Sequence, residues 1–379
     1  MKKLLSFIIV MLFIMQTSVL AETELAISAP SAMLIEAGTG KTLFEKNPDE
    51  KLPPASVTKI MTMLLTIEAV DRGQISLDDM VRCSENAASM GGSQVFLEPG
   101  EEMSVHDMLK AVAVASGNDA AVALAEFVAG SAEGFSELMN KRAAELGMEN
   151  THFVNCNGLD AEGHLTTARD ISLMSRALVS HPKILEFTSI WMDSLRGGAF
   201  GLVNTNKLIR FYEGANGLKT GSTSVAKFCV SASAVKDGMN LIAVIMAAPT
   251  SKDRFRDATK LLDYGFANYA IAKSLVTDEE LGAVRVTKGR VPYTSAGVDP
   301  GFNMLISKSR AADIQKNITL PEEISAPVSE GEVIGTIDFS VDGELIGTAD
   351  IVAKEAVAKI NPIEMLTRLT KNLLYGHDE

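Results

Sequence analysis

The stretch PPASVTKIMT places Ser56 three residues before Lys59, at the predicted start of an apolar helix. Residues three apart lie on the same face of a helix, so the hydroxyl and the amine can touch. A serine hydroxyl is a poor nucleophile without an adjacent base, and a lysine with a lowered pKa can be that base. Because the positive end of the helix dipole disfavours a cation and no carboxylate occurs between Ala55 and Glu68, the sequence favours a neutral amine. The pair predicts an activated serine nucleophile.

Two further triplets follow in the chain. ASGNDA places Ser116 and Asn118 around a glycine inside a predicted helical region, and GLKTGST places Lys219, Thr220 and Gly221 at the start of a predicted strand. Each triplet alone has an ordinary explanation, a helical turn or a solvated strand end. In the order S-x-x-K, S-x-N and K-T-G, however, the three motifs are the signature of penicillin-binding proteins and class A β-lactamases.

The chain resembles the low-molecular-mass penicillin-binding proteins that act as serine D-alanyl-D-alanine carboxypeptidases of the sporulation or vegetative cell wall. The resemblance runs from about Ala26 to the C-terminus and includes NGLDAEGHLTTARD (157–170) and NTNKLIRFYEGANGLKTG (204–221). It implies removal of the terminal D-Ala from peptidoglycan stem pentapeptides through an acyl-enzyme. It also implies covalent inhibition by β-lactam antibiotics, and no cofactor.

The resemblance implies catalytic roles for three side chains. Ser56 would attack the carbonyl between the two terminal D-alanines, Lys59 would take its proton, and Ser116 would relay a proton to the leaving amine or from the deacylating water. The backbone N–H groups of Ser56 and Ser222 would form the oxyanion hole, in which one donor typically contributes ~2.7–4 kcal/mol to lowering the barrier.

The resemblance also implies substrate-binding residues, which are Asn118, Lys219, Thr220, Gly221, Ser222 and Arg254. Asn118 would hold the substrate amide, and Lys219 and Thr220 would bind the free terminal carboxylate. Arg254, in TSKDRFRDA, matches an assisting arginine of the family, with a surface charge as the alternative. Some relatives carry histidine where this chain has Ser222, so the pH profile and rate are expected to differ from theirs.

The overall composition limits the classes of function. The 379-residue chain has a formal net charge of −13, the wrong sign for a general nucleic-acid-binding protein. Hydrophobic residues make up 46% and charged residues 22%, as in an ordinary globular protein. The five histidines form no H-E-x-x-H pattern, so no metal site is expected.

Residues 1–21 have the pattern of a secretory signal peptide. Lys2 and Lys3 precede an apolar stretch at 4–15, and small residues stand at the two positions that a signal peptidase reads in 19–21. The alternative, an N-terminal membrane anchor, is disfavoured because the apolar stretch is shorter than the ~20 residues of a span. The sequence predicts an exported protein, secreted or periplasmic.

The remaining sequence predicts an α+β fold, and the resemblance implies that residues 26–272 form a penicillin-binding/β-lactamase-like domain. The stretches at 32–47 and 227–249 each indicate two strands joined by a glycine-containing turn, and the intervening part from Ala55 to about residue 180 is mostly helical. DATKLLDYGFANYA then returns to helix. We expect the first and last strands to meet in one antiparallel sheet beside a helical cluster.

After about residue 275 the pattern changes to short strands with turns between them, which predicts a small all-β domain, a β-sandwich, at 276–360. The tail at 361–379 predicts an amphipathic helix, with apolar residues along one face at Ile363, Leu366, Leu369 and Leu373. The resemblance implies peripheral contact of this helix with the outer face of the cytoplasmic membrane. The alternative is a helix that packs on the β-domain or frays.

Two other functions stay open at this point. A class A-like β-lactamase would need a glutamate for deacylation, but Glu162 is the one glutamate between Asn157 and Met174, and the Glu-x-x-Leu-Asn pattern is missing. The second alternative is a non-catalytic peptidoglycan-binding protein. The complete set of motif residues disfavours it, since a decayed site would normally have lost at least one of them.

Overall fold

The computed structural model describes residues 25–272, 276–302 and 304–375. The predicted signal peptide at 1–21 lies outside these residues. The described strands, numbered in chain order, are β1 (Ser31–Glu36), β2 (Thr42–Lys46), β3 (Met80–Arg82), β4 (Glu102–Ser104), β5 (Met192–Leu195), β6 (Phe200–Val203), β7 (Ala215–Thr223), β8 (Lys227–Lys236), β9 (Met239–Ala248), β10 (Tyr269–Ile271), β11 (Ala283–Thr287), β12 (Tyr293–Val298), β13 (Leu305–Ser307), β14 (Gln315–Thr319), β15 (Glu323–Ser325), β16 (Val333–Val341) and β17 (Glu344–Ala353).

The helices of the described residues complete the architecture. The α-helices span Lys59–Asp71, Glu85–Ala88, Val105–Lys110, Asn118–Ala129, Ala132–Glu145, Ala168–Val179, Pro182–Thr188, Leu208–Phe211, Ser251–Asn268, Asp278–Leu281 and Pro362–Tyr375. A π-helical turn follows the third helix at Ala111–Ala115, and 3-10 turns lie at Ala55–Thr58, Arg196–Gly198 and Lys308–Asp313.

The first region is built on a five-stranded sheet in the order β2-β1-β9-β8-β7, and its pairs are antiparallel. The predicted meeting of the first and last strands is confirmed, because β1 pairs with β9 with Ala32 opposite Ile245. Successive residues of β9 point to opposite faces of a sheet. Ile242 and Val244 accordingly join one core cluster, and Ala243 and Ile245 join the other.

Each face of this sheet is covered by helix. Ala168–Val179 packs against β1 and β9 within the larger core cluster, which also contains the helix Lys59–Asp71. Ser251–Asn268 packs on the opposite face, against β8 and β9. The helix Lys59–Asp71 is buried on nearly all sides, so its apolar composition reflects a central position rather than one core-facing stripe.

The beginning of the described chain is fixed to the last helix of this region. The buried carboxylate of Asp257, in the helix Ser251–Asn268, accepts hydrogen bonds from the backbone N–H and hydroxyl of Ser28 at 2.8 and 2.7 Å. It also accepts the N–H of Ala29 at 2.9 Å. This contact leads the chain directly into β1.

The second region contains a six-stranded sheet in the order β14-β16-β17-β12-β11-β15, around its own apolar cluster. The predicted all-β character is confirmed, and β12 joins the parts of the sheet by pairing with β11 on one side and with β17 on the other. β13 lies outside this sheet and pairs with β10. The predicted sandwich stays a prediction. The domain limits 26–272 and 276–360 stay predictions.

The tail forms the expected helix at Pro362–Tyr375. Ile363 and Leu366 on its predicted apolar face are 78% and 68% exposed. Residues 376–379 lie outside the described part of the chain. None of the helices in the described ranges is long and apolar enough to cross a membrane.

Candidate active site

Ser56 lies in the 3-10 turn Ala55–Thr58, directly before the helix Lys59–Asp71. Ala55 has a positive φ of 48°, a conformation that L-residues rarely adopt and that often occurs at functional sites. The Ser56 hydroxyl does not cap the helix; its Oγ is in hydrogen-bond contact with the Nζ of Lys59, at 2.9 Å. The turn therefore presents the hydroxyl to an amine rather than to the helix end.

Two glycines allow the backbone to approach the Ser56 turn from two directions. A Cβ at Gly221, on β7, would lie 2.8 Å from both the carbonyl oxygen of Pro54 and the backbone N of Ser56. A Cβ at Gly158 would overlap the carbonyl of Ala55, and Gly158 also has a φ of +83°. Any side chain at either position would displace the turn, since real Cβ atoms do not come so close to backbone.

The amine of Lys59 is fully buried and has three hydrogen-bond partners. Its Nζ lies 2.9 Å from Ser56 Oγ, 2.5 Å from Asn118 Oδ1 and 2.6 Å from the carbonyl oxygen of Asn157. The Asn118 amide cannot be flipped to exchange Oδ1 and Nδ2 without losing a hydrogen bond, because its Nδ2 donates to the carbonyl of Gly91 at 2.6 Å. Two of the three partners are therefore pure acceptors.

Burial lowers the pKa of Lys59 to about 7, against small opposing effects of Cys156 and Asp119. A neutral amine has two N–H donors and one lone pair. The donors are required by the carbonyl of Asn157 and the amide oxygen of Asn118, so the lone pair faces the hydroxyl of Ser56. The geometry fits a base that receives the proton of Ser56.

Ser116 and Asn118 lie at a break between two helices, which corrects the expectation of a continuous helical region. The π-helical turn Ala111–Ala115 ends at Ser116, which has a left-handed φ of 65°, and the next helix begins at Asn118. The break turns the Asn118 amide toward Lys59. Ser116 is buried near this point, although its hydroxyl is not one of the three partners of the Lys59 amine.

Lys219 and Thr220 belong to β7, on the other side of Ser56. The Lys219 side chain is almost fully buried, and its Nζ donates to the carbonyl of Thr220 at 2.9 Å. Burial, and then the positive charges of Lys59 and Arg254, hold the pKa of Lys219 well below its usual 10.5. The hydroxyl of Thr220 donates to that of Thr205 at 2.8 Å.

Arg254 is buried and does not lie on the surface, which excludes the alternative left open by the sequence. Its Nη1 donates to the carbonyls of Gly221 and Cys229 at 3.0 and 3.2 Å, so the guanidinium joins β7 to β8 behind the K-T-G motif. Burial lowers the pKa of Arg254 to about 10. Its Nε has no hydrogen-bond partner among the described residues. Ser222, at the end of the same motif, is exposed.

His164 supports the Ser56 turn from the opposite side. The backbone N–H of Val154 donates to His164 Nδ1 at 2.9 Å, so Nδ1 carries no proton and the proton is on Nε2. That Nε2–H donates to the Thr58 hydroxyl at 2.8 Å. Burial lowers the pKa of His164 to about 4, which keeps the ring neutral at physiological pH.

His164 was given no role from the sequence, and neither were three further groups. The Asn157 carbonyl acts through a backbone atom, so its residue type carries no signal, although it lies within the stretch 157–170 that supports the resemblance. Gly158 acts through the absence of a side chain. Thr205 becomes a neighbour of Thr220 only through folding.

A sequence profile described as D-alanyl-D-alanine carboxypeptidase matches residues 17–250, and one described as penicillin-binding protein 5, C-terminal domain matches residues 269–359. The chain belongs to the D-alanyl-D-alanine carboxypeptidase family. It is 45% identical to D-alanyl-D-alanine carboxypeptidase DacF of Bacillus subtilis, over 97% of this chain and 98% of that protein.

Solved structures show the same relationship. Penicillin-binding protein 5 of Haemophilus influenzae is 32% identical with a TM-score of 0.68, covering 88% of this chain and 98% of that one. Penicillin-binding protein D2 of Listeria monocytogenes, in its cefotaxime-bound form, is 35% identical with a TM-score of 0.60, covering 65% and 100%. The predicted family, the α+β fold and the class of enzyme, a serine-type hydrolase, are confirmed.

Proposed function

We propose that this protein removes the terminal D-Ala from peptidoglycan stem pentapeptides through an acyl-enzyme on Ser56. The observation that carries the proposal is the arrangement around Lys59, whose buried amine uses its two N–H donors on Asn118 and Asn157. With a pKa of about 7, this amine is substantially neutral at neutral pH and its lone pair is available to Ser56.

In the acylation step, the Ser56 proton moves to Lys59 while Oγ forms a bond to the carbonyl carbon between the two D-alanines. The negative charge develops on the former carbonyl oxygen and is stabilised by the backbone N–H groups of Ser56 and Ser222. The close approach of Gly221 to Ser56 supports this pairing of the two N–H groups. One such donor contributes ~2.7–4 kcal/mol to lowering the barrier.

The terminal carboxylate of the substrate is bound by Lys219 and Thr220, with Arg254 behind them. Lys219 and Arg254 are buried. Among the described residues their hydrogen-bond acceptors are backbone carbonyls and, for Arg254, also the Ser251 hydroxyl, and none is a carboxylate. A bound carboxylate supplies the counter-charge that this wall lacks. A buried cationic wall beside the nucleophile fits a carboxypeptidase, because its substrates end in a free carboxylate next to the bond that breaks.

In the second half of the reaction, the leaving D-Ala amine takes a proton from Lys59 with Ser116 as the relay, and the C–N bond breaks. A water then gives a proton to the neutral Lys59, its oxygen bonds to the acyl carbon, and the proton returns to Ser56 Oγ. Asn118 holds the substrate amide. The buried position of Ser116, two residues before Asn118, supports this assignment.

The test is covalent labelling with a fluorescent penicillin, together with release of D-Ala from a peptide ending in D-Ala-D-Ala. The wild type is expected to label and to release D-Ala, and Ser56→Ala to do neither. A wild type that does not label would contradict the acyl-enzyme mechanism. Turnover of penicillin many times per minute would instead favour a β-lactamase.

We further propose that the protein is exported and that its tail helix, within 361–379, contacts the outer face of the cytoplasmic membrane. The exposed Ile363 and Leu366 support the second part, since an apolar face of this kind can lie in the membrane interface. Flotation of the mature protein with anionic liposomes is compared with that of a chain ending at Lys359. Only the longer form is expected to float with the liposomes. If neither form floats at low salt, the proposal is contradicted.

A further inference from the structure

Phe96 is a bulky residue in an unfavourable backbone conformation with its ring in solvent. Its φ is +55°, in the left-handed region that favours glycine, and the residue is 67% exposed. The residues on both sides, Val95 and Leu97, are buried in the main core. The backbone thus turns the Phe96 side chain outward, whereas the side chains of Val95 and Leu97 are buried.

Two charged side chains fix this backbone conformation. The buried carboxylate of Asp119 accepts the N–H groups of Val95 and Leu97 at 3.0 and 3.1 Å. From the other side, Arg196 donates to the carbonyls of Val95 and Phe96 at 3.0 and 3.1 Å. The exposed ring is therefore held on a rigid segment, with four hydrogen bonds to three consecutive residues.

The ring is not explained by stability. A glycine would adopt the positive φ without strain, and a polar side chain would avoid exposing apolar surface to water. The ring does contact Phe200 edge-on, with centroids 6.2 Å apart, and the Arg196 guanidinium lies over Phe200. A strained conformation that the surrounding structure fixes this firmly points to a contact outside the chain.

The candidate active site lies between two walls, of which the first carries Lys59 and Asn118 and the second carries Lys219 and Thr220. Phe96 and Phe200 belong to segments that lead to these two walls. The segment that carries Phe96 is joined to the first wall, because the carbonyl three residues earlier accepts the Asn118 N–H at 2.7 Å. Phe200 begins β6, which leads into Thr205, the hydrogen-bond partner of Thr220 on the second wall. The aromatic pair therefore joins the Asn118 side of the site to the Thr220 side.

A surface cavity of about 440 Å³ opens beside Phe96, and Gln94, Leu97 and Pro99 are among the residues that line it. A cavity of this size accepts a long side chain. The cavity, the exposed ring and the fixed backbone occur together on the segment that is hydrogen-bonded to the Asn118 N–H. In the proposed mechanism Asn118 holds the amide on the acyl side of the bond that breaks.

We propose that Phe96, paired with Phe200, is a specificity-determining residue that receives the side chain immediately preceding D-Ala-D-Ala in the substrate. The favoured substrates carry a long aliphatic chain at that position, which packs across the Phe96 ring. This inference rests on the proposed function, because it assigns the acyl side of the same reaction. Removing the ring weakens long-chain substrates and leaves short ones unchanged.

The experiment measures kcat/KM for release of D-Ala from acetyl-X-D-Ala-D-Ala peptides, with X glycine or norleucine. Phe96→Gly is the main variant because glycine relieves the positive φ, so its thermal midpoint is expected to equal or exceed that of the wild type. Phe127→Ala is the control, since Phe127 is partly exposed but lies nine residues after Asn118 on the same helix.

The wild type is expected to prefer the norleucine peptide, and Phe96→Gly to lose about tenfold in kcat/KM on that peptide alone, the size of one lost ring contact. Phe127→Ala is expected to keep the wild-type ratio. If Phe96→Gly keeps that ratio, or loses equally on both peptides, the inference is overturned while the proposed function stands. If the wild type releases D-Ala from neither peptide, the proposed function is overturned and this inference with it.

Discussion

The two walls of the site each bury a lysine, and the two lysines have opposite surroundings. Lys59 has three hydrogen-bond partners and the carboxylate of Asp119 nearby. Lys219 has one hydrogen-bond acceptor among the described residues, a backbone carbonyl, and its charged neighbours are the cations Lys59 and Arg254. Burial alone would lower the pKa of both.

The difference separates two uses of a buried amine. Around Lys59 the partners satisfy a neutral amine completely, and the remaining lone pair faces Ser56. Around Lys219 the surroundings leave positive potential uncompensated, and a carboxylate from outside would correct this. The wall with Lys59 therefore has its hydrogen-bond partners within the chain, whereas the wall with Lys219 has the charge that a substrate carboxylate would complement.

The largest effect is expected from Lys59→Ala. Because the alanine variant has no base next to Ser56, we expect acylation by penicillin to fall by about 10²–10⁴-fold. The measurement is the rate of covalent labelling, with circular dichroism to show that the fold is kept. A folded variant that labels at close to the wild-type rate would rule out Lys59 as the base.

Lys219→Ala tests the other wall. A hydrogen bond to a charged group contributes about 1.5–3 kcal/mol, so kcat/KM for peptides with a free C-terminal carboxylate is expected to fall by roughly 10- to 150-fold. Amidated peptides are expected to change little. Lys227→Ala, at an exposed lysine on β8, is the matched control. Equal losses of kcat/KM on free and amidated peptides would show that Lys219 does not bind the carboxylate.

The pH dependence of the acylation rate tests whether Lys59 is the base. In the proposed mechanism neutral Lys59 takes the Ser56 proton, so acylation by penicillin is expected to be fastest above pH 7 and to fall below it, approaching about tenfold per pH unit. The fall follows from protonation of an amine whose pKa is about 7. A rate that stays constant between about pH 5 and 9 would contradict a base of this pKa.

His164→Gln has the smallest expected effect. It removes the ring that joins Val154 to Thr58 and so loosens the turn that carries Ser56. One such hydrogen bond is worth about 1 kcal/mol, so we expect acylation to slow about fivefold. His152→Gln, at an exposed histidine of the same segment, serves as the control. If the two variants label equally fast, His164 does not position the turn.

Local patterns in the sequence were sufficient for the serine–lysine pair, because Ser56 and Lys59 are three residues apart and meet without any long-range contact. The same holds for the β8–β9 hairpin, whose Asp237–Gly238 turn joins two strands that pair with each other. The K-T-G motif was placed correctly on a strand for the same reason. Each of these features depends on neighbours in the chain.

The remaining features depend on contacts that spacing does not encode. The break at Ser116 interrupts an apolar run whose pattern predicts a helix. A serine does not indicate a left-handed φ, so the break could not be predicted from the residue type. Asn157 acts through its carbonyl, and Phe96 is fixed by Asp119 and Arg196, 23 and 100 positions away. The strand order of the six-stranded sheet required knowing that β12 pairs with both β11 and β17.

The pairing of β1 with β9 has a consequence for synthesis. All six residues of β1 are buried, yet their partners on β9 are made about 200 residues later. At roughly 5–20 residues per second, the ribosome needs about 10–40 s to supply them. During that time one edge of the apolar strand β1 stays without its native neighbour. Chaperones that bind such segments are therefore expected to retain the nascent chain until β9 and then Asp257 have been synthesised.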